Sequence, residues 1–501
     1  MLKMSARCIL LGLAALLAAA PVFADVMPHK NGVADVDARI AANAELYSWV
    51  SSFERPGKSA PFVVDVPAQR LAQLKSHQPA GGPLWIGVNA PVDFSYNAAD
   101  KAFGSTFYAD GLMVWSGSFV SPGATGVRLH LQDLRLPKGA EIYAFDRHGQ
   151  AFGPYTGRAA SKWTHTVAGE EIILQVHLPM NLARKAPTSL FRVAELAHMG
   201  DRYAFGHRAA EKAFCPWNDS CITNAECANI PASVSALQDS AAYLIFSAQG
   251  GSFICTGGLI ADSNNSGTPY LLTANHCFSK KNAATSLEAY FQWTVGCNNS
   301  CGSQFNPPGS VARTVGSNIL ATSRNTDFTL VQLNQPAPAG TTFLGWTTNP
   351  IAFTSGAQLF RVSHPAGSPQ AYSEHEVNTS AGACGTLPRG DFIYSDSTLA
   401  DTEGGSSGSP VVNSNGQIVG QLFGACGASP STTCDNDDRT VDGAFAVTFP
   451  SVAQWLDPGN GGGGGGGGGG SCTDVGQSCS TDSDCCSGNC SNGPPSSRVC
   501  Q

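Results

Sequence analysis

The first apolar stretch is continuous rather than periodic. Ile9 to Ala20 follows Lys3 and Arg7 and ends in Pro21-Val-Phe-Ala24. A short positive head, an apolar middle and small residues before a cut form an export signal, with cleavage expected after Ala24. The run is shorter than the ~20 residues a spanning helix needs, so no membrane span is expected. Val36 to Val50 then repeats apolar positions at helical spacing, and Ser51 to Ala80 is rich in loop-forming residues. From Leu84 onward the period shortens to two. Gly126-Val-Arg-Leu-His-Leu131, Ala140-Glu-Ile-Tyr-Ala-Phe145 and Glu171-Ile-Ile-Leu-Gln-Val-His-Leu178 predict strands, broken by Ser121-Pro-Gly123 and Leu136-Pro-Lys-Gly139. Residues 25 to 212 therefore read as a β-rich domain, a sandwich or similar. Further strands are predicted over Ala241–Phe246 and Gly251–Ile260, joined by a Gln-Gly-Gly turn, and over Phe328–Leu333 and Val411–Val412.

Composition sharpens this all-β reading. The 501 residues include 56 glycines and only 13% charged residues, which suits a turn-rich β protein, and the length asks for more than one core. A net charge of −8 leaves no basic footprint, so nucleic acid is not an expected partner. Removing Cys8 with the export signal leaves 16 cysteines, an even number suited to an oxidising compartment. None falls between 25 and 214, ten fall between 215 and 434, and six crowd into 472–500. That partition marks domains at 25–212, 213–458 and 472–501, with a linker at 459–471 that holds ten consecutive glycines, 461–470. Such a run cannot pack and behaves as flexible coil.

Candidate chemistry lies in the middle block. Glu403-Gly-Gly-Ser-Ser-Gly-Ser-Pro410 sets Ser407 in a glycine-flanked turn before an apolar strand. A serine hydroxyl needs a base to take its proton and donors for the developing oxyanion. Leu271-Leu-Thr-Ala-Asn-His-Cys277 offers His276 as that base, and Asn325-Thr-Asp-Phe-Thr-Leu-Val-Gln-Leu333 offers Asp327 as the acid that fixes the imidazole tautomer. The chain order His, Asp, Ser is that of the chymotrypsin-type triad. His130, His165, His364 and His375 read as structural. His375-Glu376 lacks a second histidine four residues after His375, so no metal and no cofactor is expected.

Thr-Ala-Asn-His-Cys, Asp-Phe-Thr-Leu-Val-Gln-Leu, Glu-Gly-Gly-Ser-Ser-Gly-Ser-Pro, Gly420-Gln-Leu422 and Trp455-Leu-Asp-Pro458 occur in this order. With them the block from about Cys215 to Pro458 resembles trypsin-like serine endopeptidases, the bacterial lysyl endopeptidases above all. The resemblance implies two six-stranded antiparallel β-barrels, a His276–Asp327–Ser407 triad, oxyanion donors from the Gly405 and Ser407 amides, and a Cys255–Cys277 disulfide beside the histidine. Cys215 and Cys221 match the paired cysteines near the mature N-terminus of that family. The resemblance also implies that residues 25–212 are a propeptide, the alternative being a retained binding domain. The basic stretch from Arg202 to Lys212 offers a cut after Arg208 or Lys212.

Asp401, six residues before Ser407, stands where trypsin-like enzymes keep the acid that meets a Lys or Arg side chain. Asp442, Asp437 and Asp438 are rival sources of that acid. Phe423-Gly-Ala-Cys426 replaces the His-Gly-Gly of lysine-selective relatives, so cleavage after basic residues is expected without strict lysine preference. The six C-terminal cysteines, Cys472, Cys479, Cys485, Cys486, Cys490 and Cys500, resemble an inhibitor cystine knot, a module that leans on its disulfides and could bind a polymer or surface. Protein or peptide substrates and a monomeric state are the remaining expectations. The rival reading is a non-catalytic secreted binding or inhibitory protein acting through the knot.

Overall fold

The computed structural model describes residues 24–54, 59–76, 82–97, 103–183, 189–202, 221–297, 307–380, 382–427, 434 and 439–459. The expected export signal, the cuts after Arg208 and Lys212, Cys215, Asp437, Asp438, the glycine run and the cystine knot lie outside these residues. The chain divides into two compact units between Leu456 and Asp457. The described residues are strand-rich, with 46% strand against 15% helix, in keeping with the alternation and glycine content.

The helical spacing at 36–50 produces the helix Val36–Ser52, started by Asp35, whose carboxylate accepts the Ala38 amide (2.8 Å). After it come two facing sheets. Strands Arg158–Trp163, Gly126–Arg135, Ser189–Met199 and Leu84–Asn97 form one; Phe62–Val63, Leu112–Val120, Glu171–Pro179, Glu141–Phe145 and Ala151–Tyr155 form the other. Leu129 and Leu131 from one sheet meet Leu174 and Val176 from the other in a shared core, which is the predicted sandwich. The stretch expected to be loop holds a second helix, Ala68–Ser76, which buries only Leu74.

The sheet does not stop at the edge of the N-terminal block. Leu84–Asn97 pairs antiparallel with Gly251–Leu259, so the sandwich runs on into the strands Ala241–Ala248, Glu288–Phe291 and Ala312–Val315. Gly251–Leu259 also pairs with Tyr270–Ala274, which pairs with Phe328–Leu333, which in turn pairs with Ser317–Ser323. Beyond Thr341–Thr348 six antiparallel strands close on themselves: Gln358–Ser363, Ala371–Val377, Phe392–Leu399, Arg439–Ala444, Gln417–Cys426 and Pro410–Val412, which returns to the first. The unit ends in a helix, Phe445–Leu456, that carries Pro450 inside it. No helix among the described residues is long and apolar enough to cross a membrane.

Candidate active site

Asp327 ends the turn before Phe328–Leu333 with a left-handed backbone (φ 56°), which a short polar residue tolerates better than most. That turn aims its carboxylate back at the end of the strand Tyr270–Ala274. Oδ1 accepts the His276 amide (2.8 Å), Oδ2 accepts the His276 Nδ1–H (2.6 Å), and the Asp327 carbonyl accepts the Asn275 amide (2.9 Å). Three bonds between the same two segments fix ring orientation and tautomer, leaving Nε2 as the basic nitrogen. Asp327 is 4% exposed, so a carboxylate that would be costly alone is matched by an imidazole. The closed ring of strands reaches in to steady it. Gln421 Nε2 donates to the Thr326 carbonyl (2.6 Å), and Gly443 packs so near that carbonyl that any Cβ would collide with it.

Ser407 lies in the turn between the strands Phe392–Leu399 and Pro410–Val412 and is 9% exposed. Its carbonyl accepts the Thr256 amide (2.9 Å) and lies 3.6 Å from Cys277 Sγ. The Cys255–Cys277 disulfide is formed. It therefore joins the residue after His276 to the residue before Thr256, and both ends touch the Ser407 turn.

The amides of the turn are aimed by the carbonyls bonded to them. A trans peptide points its N–H opposite its C=O. The Gly404 carbonyl accepts the Ala366 amide (2.7 Å), which turns the Gly405 N–H away from the Pro365–Gly367 turn. The Ser406 carbonyl accepts the Ser409 amide (3.0 Å), which turns the Ser407 N–H away from Ser409. Neither amide has an acceptor among the described residues. Gly405 has φ +104°, and a Cβ there would stand 2.8 Å from the His364 carbonyl, so the turn needs glycine.

Of three supporting residues, Thr256 and Arg361 carried no sequence signal and Phe423 only that of a departure from the lysine-selective pattern. Thr256 donates its hydroxyl to the Gly405 carbonyl (2.8 Å) and accepts the His364 amide (3.1 Å) on the same oxygen. Arg361, fully buried, donates to the Ser409 carbonyl (3.1 Å) and hydroxyl (3.0 Å) and to Asp442 Oδ1 (2.6 Å). The Phe423 ring meets His276 edge-on, with centroids 5.8 Å apart, and packs in turn on Phe392.

The two described pocket acids differ in their surroundings. Asp442 is fully buried against Arg361; burial pushes its carboxyl up while the guanidinium opposes that shift. Its charge is thus already matched inside the protein. Asp401 is half-buried. Oδ1 accepts the Thr402 amide (2.8 Å) and the Ser397 hydroxyl (3.2 Å), and its own amide donates to the Cys221 carbonyl (2.6 Å). Cys221 is bridged to Cys434, and two further bridges join Cys227 to Cys297 and Cys384 to Cys426. No cluster of three or more His, Cys, Asp or Glu side chains suited to a metal occurs among the described residues.

Residues 217–440 match the family model described as lysyl endopeptidase, C-terminal domain, and residues 63–200 match the lysyl endopeptidase N-terminal domain. Both matches are to lysyl endopeptidase. A lysyl endopeptidase of Pseudomonas aeruginosa is 31% identical over 311 residues, covering 59% of this chain and 63% of that protein. A secreted RxLR effector protein of Plasmopara viticola is 27% identical over 209 residues, covering 40% of this chain and 48% of that protein. The chain thus spans less than two thirds of either relative. Among solved structures, a protease of M. tuberculosis in its active form aligns at a TM-score of 0.32 and 17% identity, over 45% of this chain and 84% of that one. An HtrA-type protease with a bound tripeptide aligns at the same score and identity, over 45% and 63%. The sandwich and the site region of the chain are therefore each similar to a part of lysyl endopeptidases.

Proposed function

We propose that the chain is a secreted serine endopeptidase that hydrolyses peptide bonds through an acyl-enzyme, with His276, Asp327 and Ser407 as its triad. The observation that carries this reading is the doubly bonded His276–Asp327 pair, joined through the Cys255–Cys277 disulfide to a Ser407 turn whose Gly405 and Ser407 amides have no acceptor among the described residues. His276 Nε2 takes the Ser407 proton as Oγ attacks the scissile carbonyl, while Asp327 stabilises the imidazolium that forms. The two amides receive the oxyanion, and each such donor is typically worth ~3–4 kcal/mol of barrier. The imidazolium then protonates the leaving amine, and water, activated by the same nitrogen, releases the acid and restores Ser407. The described chain carries this chemistry with its own residues, and no step calls on a cofactor.

The strands from Ala241 to Leu333, with the Ala312–Ser323 segment bent at Gly316 between Glu288–Phe291 and Phe328–Leu333, make the second barrel of this reading. Asp401 is taken as the acid for cleavage after basic residues over Asp442, whose charge Arg361 already matches; the rivals Asp437 and Asp438 lie outside the described residues. Residues 1–24 serve export, residues 25–212 are the propeptide, cut after Arg208 or Lys212, and the C-terminal cysteines form a cystine knot on a glycine tether. An organophosphonate serine probe tests the central claim. It should label the matured wild type and not Ser407→Ala, and absence of labelling in matured wild type would exclude the enzyme. Asp401→Ser should abolish cutting after Lys and Arg on a peptide library while labelling persists.

A further inference from the structure

The residues that precede the first helix leave their own domain. Asp25 and Val26 pair antiparallel with Thr347 and Trp346, and His29 and Lys30 pair with Phe343 and Thr342. The Asn31 amide donates to the Thr341 carbonyl (2.8 Å), its carbonyl accepts the Gly340 amide (2.7 Å), and its side chain donates to the carbonyls of Ala337 (2.8 Å) and Pro338 (3.0 Å). The His29 ring stacks on Phe343, with centroids 4.9 Å apart, and Lys30 pairs with Asp239 (3.1 Å). Val26 enters a core shared by the Ala241–Leu333 strands and the closed ring, with Leu244 and Leu271 on one side and Phe360 and Ile418 on the other.

The receiving strip is shaped for backbone. A Cβ on Gly345 would collide with the Val26 carbonyl, and one on Gly340 would collide with Ala34. Gly340 also sits at φ +83°. The same strip holds the catalytic block together. The Leu344 amide donates to the Leu259 carbonyl (2.9 Å) and its carbonyl accepts the Ala261 amide (2.9 Å) on one side. On the other side Gly345 and Trp346 pair with Gln417 and Ile418 of the closed ring. A strand added here touches a segment bonded to both sets of strands.

We propose that residues 25–34 are a separable docking strand, and that Ala337–Thr348 is a strand-accepting groove built to hold this peptide after the connection through 203–220 is cut. Extended-peptide addition of this kind draws affinity from main-chain bonds and specificity from alternate side chains, here Val26, His29 and Lys30. While the chain is intact, its covalent connection keeps the two blocks at high effective concentration and masks the contribution of the arm. Once the connection is cut, the arm becomes part of what keeps the N-terminal block seated. The inference does not depend on catalysis.

The test uses the full chain with Ser407→Ala, to prevent self-cleavage, and a site for a highly specific protease inserted between Arg208 and Lys212. After cutting, the dissociation constant of the two fragments is measured by dilution and size exclusion. Gly345→Val, which fills the groove, and a chain with 25–34 replaced by Gly and Ser should each weaken association at least about tenfold, the scale of 1.4 kcal/mol. A synthetic peptide of residues 25–34 should bind the replaced chain and compete poorly with the intact arm. Dissociation constants equal to that of the unsubstituted chain in the replaced variant, or no peptide binding to it, would overturn the proposal. Should Gly345→Val fail to fold, the replaced chain and the peptide give the answer without it.

Discussion

At the scale of a residue, the Thr256 hydroxyl is one of the groups that hold the turn proposed to receive the oxyanion. Thr256 follows Cys255 in a strand that the sequence marks only as apolar, yet its Oγ is the bond partner of the Gly405 carbonyl and of the His364 amide. Its own amide holds the Ser407 carbonyl, so one residue grips the turn at both of the positions that supply amides. Thr256→Val keeps the shape and leaves the Gly405 carbonyl buried without that donor. An orphaned buried group costs about 1–3 kcal/mol, which a small rotation of the turn would relieve at the expense of the aim of the amides. The expected result is a fall in kcat of about tenfold or more, with KM little changed, and recovery in Thr256→Ser, which keeps the oxygen. Equal loss in Thr256→Ser would mean that the methyl group and its packing mattered instead. The pairing of His276 with Asp327 was legible because each sits in a motif, Thr-Ala-Asn-His-Cys and Asp-Phe-Thr-Leu-Val-Gln-Leu. Thr256 and Arg361 were not, because a threonine or arginine in an alternating strand looks the same whether it faces solvent or a buried carbonyl.

At the scale of elements, the turn His364–Ser368 supports the Ser407 turn from behind. His364 is fully buried; Nδ1–H donates to the Ser368 carbonyl (2.9 Å), Nε2 has no partner, and the ring stacks on Trp293 with centroids 5.7 Å apart. Burial draws its pKa down to about 4, against the bond to Ser368, which favours the charged form. His165 and His375 are drawn down to about 3, chiefly by burial and further by nearby guanidinium groups. A depressed histidine contributes stability that is fully present above its unfolded value near 6.5 and is lost as pH falls toward the folded value. Unfolding free energy of the Ser407→Ala chain should therefore drop between pH 6.5 and 4. In His364→Phe, which cannot titrate, that drop should be smaller by up to about 3 kcal/mol, at 1.4 kcal/mol per pH unit. Denaturant titrations at several pH values measure it, and an unchanged slope would remove His364 from the account. Strand-like runs bounded by turn residues were the legible elements: those at 126, 171, 241, 251 and 328 stand near their predicted bounds, as does the helix at Val36. Ala68–Ser76 escaped because it is only nine residues long and lies in a stretch broken by Pro56, Gly57, Pro61, Pro67 and Pro79, which reads as loop. Phe445–Leu456 escaped because Pro450 removes an i→i−4 bond and reads as a stop, a cost that packing of Phe445, Val452 and Leu456 in the core offsets.

Across the whole unit, the junction of the sandwich with the strands beyond Ala241 is a continued sheet with buried charge at its centre. Arg128, from the sandwich, is fully buried; it donates to the Ser286 carbonyl (2.8 Å) and the Ser247 hydroxyl (2.8 Å) and lies 4.0 Å from Glu288. Glu288, from the catalytic block, accepts the amide (3.0 Å) and hydroxyl (2.6 Å) of Thr166 in the sandwich and lies 3.7 Å from Arg313. Burial pushes its carboxyl up, opposed by the two guanidinium groups. No periodicity could announce this, since Arg128 occupies an alternating strand and its acid lies far along the chain. The physics of such a site is lopsided. A buried ion pair adds little over an apolar pair of equal volume, whereas removing one partner typically costs ~3–5 kcal/mol. Arg313 remains beside Glu288, so Arg128→Ala belongs at the lower end of that range. It also strands the Ser286 carbonyl, which Arg128 alone among side chains reaches from the sandwich. The expected outcome in Arg128→Ala is a loss of about 3 kcal/mol in the unfolding free energy of the intact Ser407→Ala chain. Arg128→Met with Glu288→Gln should recover part of that loss, because it removes both charges while keeping volume. If the double substitution were as damaging as the sum of its parts, the junction would owe its stability to shape and main-chain pairing alone. The charges would then have to be understood as a device for registering the two blocks on each other rather than for binding them.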